Sequence, residues 1–301
     1  MIPCRGKAVA IALLAAAFAS AGCGLGPGEG VGRVELTVTR DYGTVPVLHR
    51  ELGDVTESDS VMRVLERSAE ITTRYGGGFV YSIEGLEGEG GGGRDWFFYV
   101  NGLWSPVGAA DYPLHGGEAI WWDYRDWTVG ERVAAAVGSW PQPFLDGYEG
   151  AHHPTAVICM GGGTSCREVR GRLRDAGATL TSNSSDEAIR VLVGPWSQLR
   201  GDRDAELVED GVSLSGVFAE FSTGGRVMRG LDERGAVARS FGADAGLVAA
   251  TRREERPPAW LVTGTSRSGV AAAADLLTED ALRDHYAVAV EGAVETPLPV
   301  R

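Results

Sequence analysis

Aromatic side chains are concentrated in one stretch of the chain, Arg94 to Tyr124, which holds four of its eight tryptophans. Two runs within it, Asp95 to Val100 and Glu118 to Tyr124, alternate in the manner of β-strands. Alternation puts aromatic residues on both faces of each run. Burial of only one sheet face would therefore leave the aromatic residues of the other face exposed. A helix, another domain or a ligand must therefore cover the second face.

The alternation assigns each side chain to a face. In the first run, Trp96, Phe98 and Val100 lie on one face, and Phe97 and Tyr99 lie on the other. In the second run, Ile120, Trp122 and Tyr124 lie on one face, and Trp121 and Asp123 lie on the other. Between the two runs, Asn101-Gly102 predicts a type I′ turn, because both residues tolerate positive φ.

The length of 301 residues and the 44% hydrophobic content predict two domains with sizeable cores. Residues 1–22 have the features of a secretory signal. Arg5 and Lys7 precede an apolar run from Ala8 to Ala19, which is too short to span a membrane. The sequence therefore predicts export.

The signal ends in Ser20-Ala21-Gly22-Cys23, which resembles a bacterial lipoprotein cleavage box, although Ser20 stands where that pattern usually has Leu. We expect Cys23 to be lipidated and residues 23–32, rich in glycine, to form a flexible tether. The predicted location is then the cell membrane, lipid-anchored on the extracytoplasmic face. The alternative is ordinary signal cleavage that leaves Cys23 unmodified.

Two cysteines remain after the signal and Cys23 are set aside. An oxidising compartment would join Cys159 and Cys166 in a disulfide, and the alternative is two separate buried thiols. A bridge over so short a loop would be a local staple.

Charge excludes several classes of function. Loss of Arg5 and Lys7 with the signal takes the net charge from −13 to −15, so nucleic acid is not an expected partner. Lys7 is the only lysine in the sequence. A mature chain without lysine can have neither a Walker-type phosphate site nor a lysine Schiff base.

The spacing of apolar residues predicts the helices and strands of an N-terminal domain over residues 33–127. A hairpin is followed by a helix that is capped by Ser58 or Asp59 and ends at Tyr75 to Gly78. A strand, a glycine-rich loop and the aromatic runs come next. In order, the predicted strands and loop are Val34 to Val38, Val45 to Leu52, Phe79 to Ile83 and Gly85 to Gly93. This order predicts an α+β sheet with a helix across one face, which is β-grasp-like.

Several of these segments together resemble the transcobalamin-like C-terminal domain family. They are Val61 to Leu65, Phe79 to Gly85, Trp96 to Gly102, Tyr112 to Leu114 and Gly117 to Trp122. The usual pattern has Gly-Asp before the last strand, and Glu118 replaces that Asp here. The resemblance covers about residues 33–127.

In cobalamin carriers, a domain of this kind closes over a corrinoid held against a large helical domain. This sequence has no such helical region, so the resemblance implies a surface domain that holds a small ligand or a partner, with cobalamin as one candidate. The ligand-binding candidates are Tyr99, Asn101, Trp104, Trp121 and Tyr124. The alternative is that these aromatics form core and interdomain packing.

Residues 128–154 have the composition of a linker, and their His152-His153 pair lacks neighbouring ligands at metal-binding spacing. Residues 155–301 predict a separate α/β domain with βαβ-type units. An offset of 70 residues aligns Val191 to Gly194 with Leu261 to Gly264. This indicates either an internal duplication or two generic units that look alike.

The sequence contains no His-Glu-x-x-His, Gly-x-Ser-x-Gly or Cys-x-x-Cys motif. Gly161 to Gly163 between a strand and a helix could cradle a phosphate, but a disulfide-pinned glycine turn explains it better. Hydroxyls in Thr263 to Gly269, with Asp284 and His285 downstream, leave open an enzyme in residues 155–301. It is the least supported of three hypotheses.

The favoured hypothesis is a membrane-anchored extracytoplasmic lipoprotein that binds a small ligand, with cobalamin or another corrinoid as a candidate, as an accessory to uptake. Its partners would be the membrane, through the lipid anchor, a small molecule and a membrane importer. The alternative is a cell-envelope structural or interaction protein without a small ligand. Neither hypothesis assigns a reaction or a firm cofactor.

Overall fold

The computed structural model describes residues 28–301. The predicted signal, Cys23 and the first part of the tether lie outside these residues. The described part of the chain is a mixed α+β structure in which strands predominate over helices and form several sheets. No helix within it is long and apolar enough to cross a membrane.

The N-terminal part is built on a five-stranded sheet with the strand order β2-β1-β8-β6-β7. Strands β1 and β8 are parallel, and the other neighbours are antiparallel. A small sheet of β3, β4 and β5 and the single-turn 3₁₀ segment Tyr75–Gly77 lie beside it. The elements are β1 (Gly30–Arg40), β2 (Val45–Thr56), α1 (Val61–Ser68), β3 (Ile71–Arg74), β4 (Phe79–Ile83), β5 (Leu86–Glu87), β6 (Arg94–Val100), β7 (Leu103–Trp104) and β8 (Ala119–Asp126).

Helix α1 is present, but both predicted ends were wrong. Its N-cap is Ser60, whose hydroxyl accepts a hydrogen bond from the Arg63 amide at 3.4 Å. The Asp59 carboxylate instead accepts from the Thr56 amide at 2.9 Å, in the preceding turn. The helix ends at Ser68, because the chain becomes extended at Ala69 and enters β3, which sequence reasoning missed.

The Asn-Gly turn forms, yet it joins different strands from those expected. Asn101 has a φ of 52° and Gly102 a φ of 76°, as a type I′ turn requires. The turn links β6 to the short β7, with Tyr99 opposite Trp104. Strand β8 pairs with the other edge of β6.

The predicted assignment of aromatic residues to two faces is confirmed. On the first face, Trp96, Phe98 and Trp122 are buried in a core with α1. On the second face, Tyr99 and Trp121 are buried in a core that also contains residues from 192–298. The chain itself therefore covers much of the second face.

A seven-stranded sheet with the order β10-β9-β11-β16-β15-β17-β18 organises the C-terminal part. Strands β10, β9, β11 and β16 are mutually parallel, and β15, β17 and β18 continue the sheet antiparallel. A second sheet has the order β12-β13-β14. The strands are β9 (Thr155–Cys159), β10 (Leu180–Thr181), β11 (Ile189–Pro195), β12 (Ala219–Phe221), β13 (Met228–Leu231), β14 (Val237–Phe241), β15 (Gly246–Thr251), β16 (Ala259–Gly264), β17 (Ala287–Glu291) and β18 (Val294–Leu298).

Alternation along the central strands divides the C-terminal part into two cores. On one side, Val191 and Val262 pack with side chains from α2 and α6. On the other side, Leu192 and Leu261 share the core that contains Tyr99 and Trp121. The helices are α2 (Ser165–Asp175), α3 (Trp196–Leu199), α4 (Arg203–Glu209), α5 (Val212–Ser215), α6 (Arg267–Asp275) and α7 (Glu279–Leu282).

The two segments related by the 70-residue offset are neighbours at their first strands only. Leu192 of β11 lies opposite Leu261 of β16 in the parallel pair. The strands that close the two units then diverge, since β12 enters the three-stranded sheet and β17 the seven-stranded sheet. Residues 128–154 contain no helix or longer strand, but side chains such as Val137 and Phe144 are buried in the core beside α2 and α6.

Candidate functional site

An apolar cleft of about 320 Å³ opens at the edge of the five-stranded sheet, and we call it the edge cleft. It lies where β6 and β7 meet the start of β4 and the loop 105–109. Its main side chains are Phe79, Phe97, Phe98, Trp104, Val107 and Trp122, and none of the described residues that line it is ionisable. The lining therefore suits an uncharged, apolar molecule.

The Asn101 turn leads into β7, whose Trp104 lines the edge cleft. Asn101 Oδ1 accepts from the Ala119 amide at 2.8 Å, and Asn101 Nδ2 donates to the Gly147 carbonyl at 2.8 Å. These bonds hold the turn against β8 and against residue 147. The turn therefore positions Trp104. The centroid of its half-buried ring lies 5.3 Å from the Arg132 guanidinium carbon.

The loop 105–109 also lines the edge cleft. Ser105 Oγ donates to the Val107 carbonyl at 2.8 Å and accepts from the Val107 amide at 3.2 Å. The Ala109 carbonyl accepts from the Met62 amide at 2.9 Å, which fixes the loop to the start of α1. Val107 is left 45% exposed at the mouth of the cleft.

Two aromatic rings mark the rim. Tyr75 is 87% exposed and Phe79 is 37% exposed, and their ring centroids lie 6.0 Å apart. Trp122, deeper in the cleft, is stacked on Phe98 with centroids 4.9 Å apart. The Trp122 indole N–H is buried and finds no hydrogen-bond acceptor in residues 28–301.

The five predicted ligand-binding residues do not converge on one site. Of the five, Trp104 lines the edge cleft. Tyr99 and Trp121 are buried on the second face, and Asn101 is occupied in its turn. Tyr124 is buried on the first face and its hydroxyl donates to the Glu87 carbonyl at 3.1 Å. Ligand binding by these residues remains a prediction.

Tyr286, just before β17, is the centre of the contacts on the second face. Its ring lies 4.9 Å from Trp121, 5.2 Å from Tyr42 and 5.6 Å from Tyr99, centroid to centroid. Its hydroxyl donates to the Asp123 carboxylate at 3.1 Å. Sequence reasoning missed this residue, because a contact across 163 positions leaves no local pattern.

Asp123 is a fully buried carboxylate with four donors. They are the Thr39 hydroxyl at 2.6 Å, the Tyr42 and Gly43 amides at 3.0 Å each, and the Tyr286 hydroxyl. Burial raises the pKa of Asp123 to about 6, although these donors lower it. The carboxylate ties the β1–β2 turn to the segment before β17.

Arg125 provides the opposite charge on the same face. Its guanidinium donates to the Gly130 carbonyl at 2.6 Å and to the Glu131 carbonyl at 3.1 Å, and it lies 3.9 Å from the Phe97 ring centroid. Buried charges are tolerated only with such partners. The second face is therefore polar at its centre and aromatic around it.

A second cavity, of about 200 Å³, lies beside this contact, and we call it the junction cavity. It is enclosed by the second face, by residues 138–142 and by residues 279–284. Its lining includes Glu35, Thr37, Trp121, Trp140, Arg283 and Asp284. Unlike the edge cleft, it combines carboxylates with aromatic rings.

The predicted disulfide between Cys159 and Cys166 is confirmed, with Cα atoms 5.9 Å apart. It closes the glycine turn between β9 and α2, where Gly161, Gly162 and Gly163 all have positive φ.

The histidine pair is held by local contacts. His153 stacks on Tyr148 with centroids 3.9 Å apart, and His152 Nδ1 lies 2.9 Å from the Leu145 carbonyl oxygen. Across residues 28–301, no group of three or more His, Cys, Asp or Glu side chains is placed to hold a metal ion.

The hydroxyls after β16 have structural partners. Ser266 caps α6 by accepting from the Gly269 amide at 3.1 Å, and it donates to Asp244 at 2.7 Å. His285 Nδ1 has no partner within the described residues. These contacts assign no reaction to this part of the chain.

Residues 58–126 match the model of a domain of unknown function, DUF4430. No curated protein matches the chain. Among solved structures, the chain is similar over 32% of its length to 97% of a "putative metal binding protein" from Ruminococcus gnavus ATCC 29149, with 14% identity and a TM-score of 0.26. A likeness at this TM-score is too weak to support an argument about fold or function.

Proposed function

We propose that the chain is a lipid-anchored protein on the extracytoplasmic face of the membrane, and that its edge cleft captures a small apolar solute as an accessory to uptake. The edge cleft is the observation that carries the proposal. Binding sites for small molecules are usually concave and mostly apolar, with few polar groups. Phe97, Phe98 and Trp104 supply such a surface.

The volume of the cleft limits the size of its ligand. At about 320 Å³ it lies near the lower end of the range of about 300 to 1,000 Å³ for such pockets. A corrinoid has a large macrocycle and a nucleotide arm, so it could bind only across the mouth, near Phe79 and Val107. A compact neutral ring compound, which could enter and stack on the aromatic walls, fits better.

Two further observations support the proposal. The DUF4430 match, residues 58–126, lies within the segment 33–127 that resembles transcobalamin-like domains. The DUF4430 family is related to those domains. The strand order, with β1 between its hairpin partner β2 and the parallel β8, is consistent with a β-grasp-like domain. Cys23 and the signal support anchoring, which would hold the cleft close to a membrane importer.

The second candidate is an envelope interaction protein without a small ligand. Its support is the rim, where Tyr75 is 87% exposed and lies against Phe79. Exposed aromatic rings of this kind are common in protein-binding surfaces. On this alternative, the edge cleft would receive a side chain of a partner protein.

A titration with the neutral fluorescent probe N-phenyl-1-naphthylamine tests the first candidate. The protein would carry Cys23→Ser, so that no lipid competes for the cleft. We expect saturable probe fluorescence that Val107→Glu weakens at least about tenfold, because a charge at the mouth would be desolvated by the apolar probe. Cyanocobalamin added as competitor tests the corrinoid directly.

Val237→Glu is the matched control, since Val237 is 53% exposed and lies on β14, outside the edge cleft. The proposal predicts wild-type binding for this control and retained folding for both variants by circular dichroism. Equal probe binding by Val107→Glu and wild type, or no binding by either, would count against capture and favour the interaction protein.

A further inference from the structure

The junction cavity lies against β1 and β8 of the five-stranded sheet, and its lining differs from that of the edge cleft. Its volume of about 200 Å³ exceeds the roughly 150 Å³ that accommodates a benzene molecule in a protein interior. The cavity therefore has room for one aromatic ring with a short arm.

An unpaired carboxylate is the main chemical feature of this cavity. Asp284 is half-buried, and its carboxylate has no hydrogen-bond or ion-pair partner in the part of the chain that the structure describes. The adjacent Arg283 is paired with Glu279. A partly buried charge without a partner is unfavourable, so a cation that entered the cavity would be stabilised there.

Both acidic and basic groups lie near the Asp284 carboxylate and influence its pKa. Burial raises the pKa of Asp284 to about 6, Arg283 and His49 lower it, and Glu35 and Asp123 raise it. His49 Nδ1 lies 3.6 Å from Glu35 and 3.2 Å from the Thr37 hydroxyl. The carboxylates of Asp284 and Glu35 both line the cavity.

Two tryptophans give the cavity an aromatic wall. Trp121 Nε1 donates to the Thr39 hydroxyl at 2.8 Å, which fixes the orientation of its indole. Trp140 is held by Phe144 and Trp260, at centroid distances of 5.5 and 5.7 Å. Indole rings attract organic cations through the negative potential of their π-systems. The two rings and the two carboxylates line the same cavity.

We propose that the junction cavity binds a small organic cation, a protonated amine attached to an apolar ring, through the carboxylates of Asp284 and Glu35 and the rings of Trp121 and Trp140. The ring would occupy the tryptophan side, and the ammonium would donate hydrogen bonds to the carboxylates. An anion would be repelled, and a neutral ring would leave Asp284 unpaired. The net charge of −13 adds a long-range attraction for cations.

Isothermal titration calorimetry of the full chain with phenethylamine tests the proposal. 2-Phenylethanol is the neutral probe of similar shape. We expect saturable binding of the amine and binding of the alcohol that is weaker by about tenfold or more, because the alcohol lacks the charge. Amine and alcohol binding of equal strength, or no binding of the amine, would overturn the proposal.

Asp284→Asn is the decisive variant, because Asp284 has a φ of 58°, a conformation that Asn also adopts readily. It should weaken amine binding about tenfold, while Asp175→Asn, an exposed acid on α2, should leave it unchanged. Unaltered binding by Asp284→Asn would refute the proposal. Glu35→Gln, which should weaken binding about threefold, decides the question if Asp284→Asn does not fold.

The two sites can fail independently. Val107→Glu alters the edge cleft and leaves the lining of the junction cavity intact, so it should not change phenethylamine binding. Loss of amine binding in Val107→Glu would show that the amine occupies the edge cleft, which would contradict the assignment to the junction cavity.

Discussion

The two faces of the five-stranded sheet are equally aromatic but are stabilised in different ways. On the first face, Phe98 and Trp122 pack into an apolar core with Leu65 of α1. On the second face, aromatic rings surround a buried carboxylate and a buried guanidinium, those of Asp123 and Arg125. The first face depends on burial of apolar area, and the second depends on specific polar contacts.

This difference indicates what each face contributes. Apolar packing tolerates changes of shape and can leave an opening, as it does at the edge cleft. Buried polar groups must meet their partners in one geometry, because an unmatched one is costly. The second face therefore fixes how the residues around Tyr286 lie against the sheet.

The largest effect should come from Asp123→Ala. It leaves the Tyr42 and Gly43 amides and the Tyr286 hydroxyl without an acceptor, so we expect a loss of about 3–5 kcal/mol in the free energy of unfolding. Urea denaturation gives the value, with the exposed Asp54→Ala as control. A loss below about 1 kcal/mol would mean that the polar centre does not stabilise the second face.

A smaller effect is expected from pH. The pKa of Asp123 is raised from 3.8 in the unfolded chain to about 6, so the native state binds a proton more tightly. The stability from this group is complete below about pH 4 and is lost as pH rises through 6, by about 3 kcal/mol. The difference between wild type and Asp123→Asn, measured from pH 4 to 7, should show this decline. A difference that does not vary with pH would contradict it.

The smallest effect should come from Tyr286→Phe, which keeps the ring contacts and removes the hydroxyl that donates to Asp123. We expect a loss of about 1 kcal/mol, the usual value for one hydrogen bond. A double-mutant cycle with Asp123→Asn should show coupling between the two residues. Additive losses would indicate that the rings alone make this contact.

The sequence predicted the features that depend on local periodicity. The faces of β6 and β8, the strand β4 and the Cys159–Cys166 pair agree with the structure. The start of α1 was wrong because several residues near Ser60 are equally good caps. Its end was wrong because the chain becomes extended at Ala69 and enters β3, which the sequence reasoning did not recognise. Strand β7 was missed because two residues are too few to show alternation.

The candidate sites were harder to predict than the elements. Trp104 was among the predicted ligand-binding residues, and it lines the edge cleft. Phe79 and Val107 reach the cleft through strand pairing and loop closure, which no local sequence pattern encodes. The contact between Asp123 and Tyr286 joins residues 163 positions apart. Such contacts depend on tertiary packing, which a single sequence reports only indirectly.

The most direct test of solute capture is mass spectrometry of small molecules extracted from the protein after purification from the cells that naturally produce it. Wild type and Val107→Glu would be purified in parallel and denatured in organic solvent. The account predicts one neutral apolar compound that approaches one molecule per chain in wild type and is depleted at least about tenfold in Val107→Glu. Equal amounts in both proteins, or no compound in wild type, would contradict it.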